Sequence, residues 1–227
     1  MIETTREPQY HTCLEIRDQK GQARLGLMSN QTWHDDPKRL TFVLARYKFV
    51  AKMFGGFGSV LEVGCADAFG TRVVQQAVGQ VTAVDFDPLF VQDVRDRMDP
   101  KWPLTVLVHD ALAGPVPGSF DGAYALDVLE HIPADREDRF VANVAASLGE
   151  DGSAIVGMPS IHSQSYASPP SRAGHVNCKD AAGLRRTMLR HFRHVFIFSM
   201  NDEVVHTGFS PMAQYLLALA CGPRCHA

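Results

Sequence analysis

From Ser59 onward the chain alternates between short, β-branched apolar runs and amphipathic helical stretches. Such an alternation predicts a parallel sheet that is covered by helices on both faces, because each parallel crossover returns the chain through a helix. A further apolar run, 212–220, is interpreted as a last strand that closes the sheet. The predicted strands are 60–63, 81–84, 104–108, 122–126, 154–157 and 195–198, and the predicted helices lie near 69–78, 88–98, 135–148 and 180–191.

The N-terminal part of the chain does not share this alternation. Residues 1–36 are polar and are predicted to be irregular, with Trp33, His34 and Asp35 as a candidate lid. A helix with apolar residues at helical spacing is predicted from Pro37 to the Gly55-Gly56 pair. The chain is therefore divided into an N-terminal segment, 1–36, and one domain, 37–227, which suits its length of 227 residues.

The charge balance bears on the partners. The formal net charge is −3, whereas binding to duplex nucleic acid relies on concentrated Lys and Arg, so we do not expect nucleic acid as a partner. One basic run, 185–194, is interpreted as the solvated face of a helix and the turn after it. No run of 18 apolar residues is present, so no membrane-spanning segment is predicted.

The N-terminus and the cysteines indicate the compartment. The first residues are polar and lack the apolar core of a signal peptide, so we expect a cytoplasmic protein. The 5 cysteines are odd in number and widely spread, which favours reduced thiols over a disulfide framework. Cys221, Cys225 and His226 have ligand-like spacing but are interpreted as a loose tail.

The stretch after the first predicted strand is the most informative about function. Gly64, Cys65 and Ala66 are small residues between an apolar strand and a helix, so the backbone can approach a ligand closely there. A pyrophosphate-binding loop would need Gly-x-Gly-x-x-Gly, and Ala66 stands at the second glycine position. The sequence therefore favours a cofactor without a pyrophosphate and disfavours an NAD-dependent dehydrogenase.

Carboxylates follow the next two predicted strands. Asp85 ends the second strand, where an acidic side chain can accept hydrogen bonds from both hydroxyls of a ribose. Asp110 follows the third strand and is a candidate acceptor for an exocyclic amino group such as that of adenine. Because the ends of neighbouring parallel strands meet at one edge of the sheet, Gly64, Asp85 and Asp110 are predicted to converge on one adenosyl group.

Five blocks of the sequence, in order, resemble the class I S-adenosylmethionine (SAM)-dependent methyltransferases. Glu62-Val63-Gly64-Cys65-Ala66 is similar to the Glu/Asp-x-Gly-x-Gly motif of that family, Asp85 to its ribose-binding acid, and His109-Asp110-Ala111 to its adenine-edge segment. The segments 120–132 and 148–153 are similar to its fourth strand with the following loop and to the turn that enters its fifth strand. The resemblance covers about residues 59–158, and it departs from the family at Ala66, where glycine is usual.

The resemblance implies a Rossmann-like, doubly wound α/β fold. The sheet would be mostly parallel and seven-stranded with an antiparallel last strand, and here it would carry an N-terminal helical extension. The implied cofactor is SAM, with its methionine near Gly64, its ribose on Asp85 and its adenine between Phe86 and the Asp110–Ala111 turn. The expected cofactor contacts are Glu62, Gly64, Cys65, Ala66, Asp85, Phe86, Asp110, Ala111 and Asp127.

Methyl transfer from a sulfonium is an in-line displacement in which the protein aligns the acceptor and removes its proton. Asp127, Glu130 and His131 follow the fourth predicted strand, and in a helix they would share one face. His131 is the expected general base or pocket residue. Glu130 and His175 are further catalytic candidates.

The same three residues resemble the Glu-x-x-Glu-His metal ligands of ubiquinone-biosynthesis O-methyltransferases and of small-RNA 2′-O-methyltransferases. This resemblance predicts a divalent metal such as Mg²⁺ on Asp127, Glu130 and His131, with His162 or His175 as the distant histidine that the RNA enzymes use. Leu-Glu-His after the fourth strand is also widespread in methyltransferases that need no metal, so a site without a metal is the alternative.

Residues 159–179 interrupt the alternation with a long segment rich in Ser, Pro and His, and they are predicted to form an acceptor lid. Its uncharged polar side chains favour a polar small-molecule acceptor. We therefore expect O-methylation of a sugar, a sugar nucleotide or a secondary metabolite. The alternatives are a non-catalytic protein that binds SAM or another nucleoside and an RNA 2′-O-methyltransferase, and a homodimer is left open.

Overall fold

The computed structural model describes residues 5–224, and these residues form one eight-stranded sheet with helices on both faces. The strand order is β3-β2-β1-β4-β5-β8-β6-β7. Neighbours among β1–β5 pair in parallel, whereas β8 is antiparallel to both β5 and β6. The strands are β1 (Ser59–Val63), β2 (Gln80–Asp85), β3 (Thr105–Val108), β4 (Phe120–Leu126), β5 (Leu148–Pro159), β6 (Phe192–Asn201), β7 (Val204–His206) and β8 (Tyr215–Pro223).

The predicted Rossmann-like class and the antiparallel last strand are confirmed, and the sheet has one strand more than the seven predicted. The additional strand, β7, is three residues long and forms a hairpin with β6 at the edge of the sheet. Asp202 in the connecting turn has a φ of 50°, a left-handed conformation in which Asp is tolerated. So short a strand carries no alternation by which it could be recognised in the sequence.

The segment predicted to be irregular before Pro37 contains two helices, and this prediction was wrong. Helix α1 (His11–Lys20) buries none of its residues, and α2 (Leu27–Asp35) buries only Ser29. Neither helix therefore has the apolar stripe that reveals a helix in sequence. The other helices are α3 (Lys38–Met53), α4 (Thr71–Gln75), α5 (Pro88–Asp96), α6 (Glu137–Ala146), α7 (Pro169–Gly174) and α8 (Ala181–Leu189).

The 159–179 segment is compact. A 3₁₀-helix over Ile161–Tyr166 and helix α7 occupy most of it. The two ends of the segment meet in an isolated parallel bridge between Ser160 and Lys179, so the segment forms a closed excursion from the end of β5. Cys225 and His226, which were assigned to a loose tail, lie outside the described residues.

The core lies on the two faces of the sheet. On one face α6 and α8 contribute Phe140, Leu184 and Met188, and on the other α3 contributes Val50. Complete burial of a side chain of this size stabilises the fold by about 1.5–3 kcal/mol. None of the helices within residues 5–224 is long and apolar enough to cross a membrane.

The buried carboxylate of Glu137, at the start of α6, holds the end of the 159–179 segment and α8 together. Its Oε2 accepts from Asn177 at 2.9 Å and lies 2.7 Å from Nζ of Lys179. Its Oε1 accepts from Thr187 at 3.1 Å and from Arg190 at 2.9 Å. Although burial opposes ionisation, these hydrogen bonds and the Lys179 charge hold the pKa of Glu137 at about 2.

Glu137→Gln should therefore weaken the fold at neutral pH and flatten its response to acid. The lowered pKa contributes stability that is present above about pH 4.5 and is lost as the pH falls toward 2. The expected loss for the variant at pH 7 is at most about 3 kcal/mol. Urea unfolding of both proteins from pH 2 to pH 7 measures it, with exposed Glu150→Gln as the control. Parallel pH curves for wild type and Glu137→Gln would contradict this role.

Candidate active site

The loop after β1 has the conformation that a close ligand requires. Gly64 has a φ of +73°, and a Cβ on it would lie 2.4 Å from Cγ2 of Val128, so only glycine fits. Ala66 and Ala68 are also left-handed, with φ of 45° and 48°. A non-glycine residue in this region costs about 1–2 kcal/mol. Ala66, which stands where the related motif usually has glycine, thus has a backbone conformation that favours glycine.

Asp85 at the end of β2 supports this loop. Its Oδ2 accepts from the backbone N–H of Ala66 at 2.8 Å, and its Oδ1 accepts from that of Asp87 at 2.9 Å. Each carboxylate oxygen has a second lone pair, so both can still accept from a ligand hydroxyl. Asp85 therefore fixes the loop and remains available to a ribose.

One cavity of about 680 Å³ lies along the carboxyl edges of β1, β2 and β4. This volume is within the roughly 300–1,000 Å³ typical of small-molecule sites. The structure thus brings together eight of the nine residues expected to contact the cofactor, and His131 with them. The sequence-predicted residues that line the cavity are Gly64, Cys65, Ala66, Asp85, Phe86, Asp110, Ala111, Asp127 and His131.

The ninth expected contact, Glu62, does not line the cavity. It is buried behind the loop, where its carboxylate accepts from Tyr47 at 2.9 Å, from Tyr124 at 2.8 Å and from the hydroxyl of Thr71. Burial raises the pKa of Glu62 to about 7, although the three hydrogen bonds oppose that rise. In this structure Glu62 supports the walls of the cavity.

Helix α2 covers one side of the cavity with Met28, Ser29 and Thr32. The carboxylate of Asp67, in the loop after β1, accepts from the backbone N–H of Ser29 at 2.7 Å. Trp33, which the sequence suggested as a lid residue, is 54% exposed and does not line the cavity. The N-terminal segment therefore meets the cavity through residues other than those anticipated.

Three candidate catalytic side chains converge beside the cavity. Glu130, His131 and His175 each offer a ligand atom, and these atoms lie within 4.8 Å of one another. No other such group of three or more His, Cys, Asp or Glu side chains occurs within residues 5–224. The backbone carbonyl of Glu130 accepts from the N–H groups of Val176 and Asn177, which holds the end of the 159–179 segment against it. His162 does not join the group.

The hydrogen bonds of the two histidines fix which nitrogen carries the proton. Nδ1 of His131 donates to the carbonyl of Gly174 at 2.9 Å, and Nδ1 of His175 donates to the amide oxygen of Gln164 at 2.8 Å. In the neutral form of each ring, Nε2 is then the nitrogen with the free lone pair. Burial, with the nearby His131, lowers the pKa of His175, which keeps that ring neutral.

Glu130 is completely buried, and neither of its carboxylate oxygens has a hydrogen-bond partner. Burial and the nearby Asp127 charge raise its pKa well above the usual value. Asp127 does not belong to the converging group, because its Oδ2 lies 2.5 Å from Nη1 of Arg46. The Asp127-Glu130-His131 metal set expected from the spacing is thus not the set that the fold brings together.

The polar side chains of the 159–179 segment are largely used within the segment. The Ser163 hydroxyl lies within hydrogen-bond distance of the carbonyls of Ser160 and of Gln214, outside the segment, and Gln164 bonds to Ser160 and His175. Ser168 caps α7. These groups shape the segment, so its composition carries less information about the acceptor than the sequence suggested.

Sequence reasoning missed the contribution of α3. Leu40, Val43 and Tyr47 line the cavity, and Arg46 pairs with Asp127. The helical periodicity marked Leu40, Val43 and Tyr47 as an apolar face, but such a face indicates packing in general and does not identify a cavity. An arginine within a helix is usually solvated, so nothing in the sequence signalled Arg46.

The comparisons with known proteins agree with this geometry. Residues 60–152 match a family described as a methyltransferase domain. The ubiquinone biosynthesis O-methyltransferase of Xanthomonas campestris pv. campestris is 28% identical over an alignment of 123 residues, and the match covers 48% of this chain and 49% of that protein. The chain thus spans about half the length of the curated relatives it matches.

Two solved structures show the same fold at low identity. The N-methyltransferase NodS from Bradyrhizobium japonicum WM9, in complex with S-adenosyl-L-homocysteine, has a TM-score of 0.59 at 18% identity and covers 84% of this chain and 90% of its own. The DhpI-SAM-HEP complex has a TM-score of 0.61 at 16% identity and covers 97% of this chain and all of its own, 100%.

Replacing Asp85 should weaken SAM binding selectively. Asp85→Ala removes the expected acceptor for two ribose hydroxyls and the observed acceptor for the Ala66 N–H, and hydrogen bonds to a charged group contribute about 1.5–3 kcal/mol each. We expect affinity for SAM to fall by about 100-fold or more. Asp85→Asn keeps one acceptor oxygen and should lose less. Isothermal titration calorimetry measures both, with exposed Asp151→Asn as the control, and an unchanged affinity in Asp85→Ala would remove Asp85 from the cofactor site.

Proposed function

We propose that the chain is a class I SAM-dependent methyltransferase and that it methylates a hydroxyl oxygen of a small-molecule acceptor. The match of residues 60–152 to a methyltransferase domain and the fold shared with NodS support the first part of this proposal. The single observation that carries this proposal is the location and hydrogen bonding of His131. This side chain lines the cofactor cavity, and its Nδ1 proton is engaged by Gly174. In the neutral ring, Nε2 is then the nitrogen that can accept a proton.

SAM supplies a methyl group that is already activated by a sulfonium. The residues of this chain then have two tasks, which are to align the acceptor and to take its proton. Asp85 and the Gly64–Ala66 loop hold the cofactor at the strand ends. Nε2 of His131 accepts the hydroxyl proton, and the Gly174 carbonyl stabilises the imidazolium that results.

A base at this position favours oxygen over nitrogen as the methylated atom. A hydroxyl is a weak nucleophile until its proton is removed, whereas a neutral amine attacks without prior deprotonation. The partial match to a ubiquinone biosynthesis O-methyltransferase supports the same choice. NodS, which has a similar fold, is an N-methyltransferase, so the fold alone does not favour either atom.

The cavity wall bears on the class of acceptor. Besides polar groups, the wall contains Leu40, Val43 and Ile132, and the polar side chains of the 159–179 segment bond mainly within that segment. These features support an acceptor that carries its hydroxyl on an apolar ring or chain, such as a secondary metabolite, ahead of a sugar or a sugar nucleotide. A cytoplasmic location and a small-molecule partner are part of this proposal.

A divalent metal fits the residues beside His131. The buried carboxyl group of Glu130 has no hydrogen-bond partner, and both histidines donate Nδ1–H to a protein oxygen in the way that metal-binding histidines do. We propose that Glu130, His131 and His175 would hold such an ion. A bound metal would lower the pKa of an acceptor hydroxyl. With no metal, His131 alone takes the proton.

Metal binding can be tested apart from turnover. Wild type in Co²⁺ should show the visible absorption bands of a protein-bound ion, and Glu130→Gln and His175→Ala should each weaken the binding by about 10-fold or more. Exposed His194→Ala is the matched control. A wild-type spectrum identical to that of Co²⁺ in buffer would show that the three side chains bind no such ion.

The proposed base gives a second test. His131→Ala should slow methyl transfer by about 10²–10⁴-fold while SAM affinity stays within about threefold, because His131 acts on the acceptor proton. Wild type and variant are compared with labelled SAM and a panel of phenols, catechols, sugars, sugar nucleotides and small RNAs. Product masses identify the methylated compound, and His194→Ala is again the control. If wild type binds SAM but methylates nothing in the panel, a non-catalytic nucleoside-binding protein becomes the better description.

A further inference from the structure

Buried polar atoms without a partner are concentrated beside the active site. Within residues 5–224 they are Nε of Arg46, both carboxylate oxygens of Glu130 and the hydroxyl of Tyr215. The Arg46 guanidinium lies 3.8 Å from the centre of the Tyr215 ring. Each unpaired buried group costs about 1–3 kcal/mol, so the fold maintains a costly arrangement at this place. We call these residues, together with Asp127, the Arg46 cluster.

Asp127 connects the Arg46 cluster to the cavity. Its side chain is 37% exposed and lines the cavity, while its Oδ2 is bound by Arg46. Its backbone is left-handed, with a φ of 57°, and its N–H donates to the carbonyl of Gly157. A non-glycine residue holds such a conformation only where its surroundings impose it, and residues of this kind are concentrated at functional sites. The ion pair with Arg46 is one such constraint.

The geometry of Arg46 suits a fixed clamp. A guanidinium is planar and always charged, and it stacks on an aromatic face as it does here on Tyr215. Arg46 comes from α3, Tyr215 begins β8 and Asp127 follows β4, so the clamp joins three elements at one edge of the sheet. The next residue of α3, Tyr47, lines the cavity and donates to Glu62. The clamp is therefore built on a helix that is itself anchored.

We propose that Arg46 is a positioning residue for methyl transfer. Stacked on Tyr215, it holds the Asp127 carboxylate at the cavity wall, and that carboxylate orients the reacting hydroxyl toward His131. Arg46 itself does not line the cavity, so it acts through Asp127. This inference rests on the proposed O-methyltransferase activity. Misplacing an acceptor by about 1 Å is enough to slow a reaction by about 10²-fold.

A double-mutant cycle tests the inference. Arg46→Gln should lower kcat by about 10–100-fold, with SAM affinity within about threefold, and Arg46→Lys should recover part of the loss because it keeps the charge. Asp127→Asn should lower kcat similarly. The double variant should be no slower than the slower single variant, since both changes interrupt one arrangement.

Tyr215→Phe keeps the ring under Arg46 and should retain most of the activity. Exposed Arg39→Gln, on the same helix, is the control.

The outcomes separate a positioning role from a structural one. A wild-type kcat in folded Arg46→Gln, or a double variant whose loss is the product of the two single losses, would overturn the inference. Thermal unfolding of wild type, Arg46→Gln, Asp127→Asn and the double variant needs no acceptor. The double variant should lose less stability than the sum of the two single losses. If wild type methylates no acceptor, the proposed function fails. In that case additive thermal shifts would also refute the clamp, whereas non-additive shifts would support it.

Discussion

The carboxylate of Glu62 is the interaction on which the rest of the active site depends. It lies in β1, two residues before Gly64, and it collects hydroxyl groups from α3, from β4 and from the start of α4. Three donors around one buried acid fix the distances between those elements, because an unmet donor or acceptor there would cost about 1–3 kcal/mol. The loop after β1 then leaves the sheet from a rigid base. The left-handed residues of the loop and its hydrogen bond to Asp85 start from this fixed position. The loop in turn forms one wall of the cavity.

The sheet and its ligand-binding edge could be predicted from the sequence because they depend on local signals. Strands β1, β2, β4 and β5 are largely buried and contain short apolar runs, and the small residues at 64–66 follow directly from β1. Parallel topology then places successive strand ends together without further information. That reasoning put Gly64, Asp85 and Asp110 on one cavity, where the structure has them. By contrast, α1 and α2 bury almost nothing, so no apolar period revealed them.

The catalytic edge could be predicted only in part, because it depends on contacts between distant residues. The sequence marked Glu130, His131 and His175 individually, but the spacing after β4 suggested Asp127 as the third metal ligand. In the structure Asp127 pairs with Arg46, which is 81 residues away along the chain. His175, from beyond β5, lies with Glu130 and His131 instead. Glu62 is a second example, since its motif position indicated cofactor contact and its hydroxyl partners direct it to a supporting role. Neither diversion is visible in a local pattern.

Two buried carboxylates, Glu130 in the 3₁₀-helix over Leu129–His131 and Glu137 at the start of α6, differ in how the fold treats them. Glu137 has four side-chain partners and a pKa of about 2, so its charge stabilises the folded chain and fixes the end of the 159–179 segment. Glu130 has no side-chain partner, and burial raises its pKa well above the usual value, so its burial works against stability. The partners of Glu137 include Asn177 and Lys179, which follow His175 closely along the chain. The network around Glu137 therefore also helps to hold His175 beside His131.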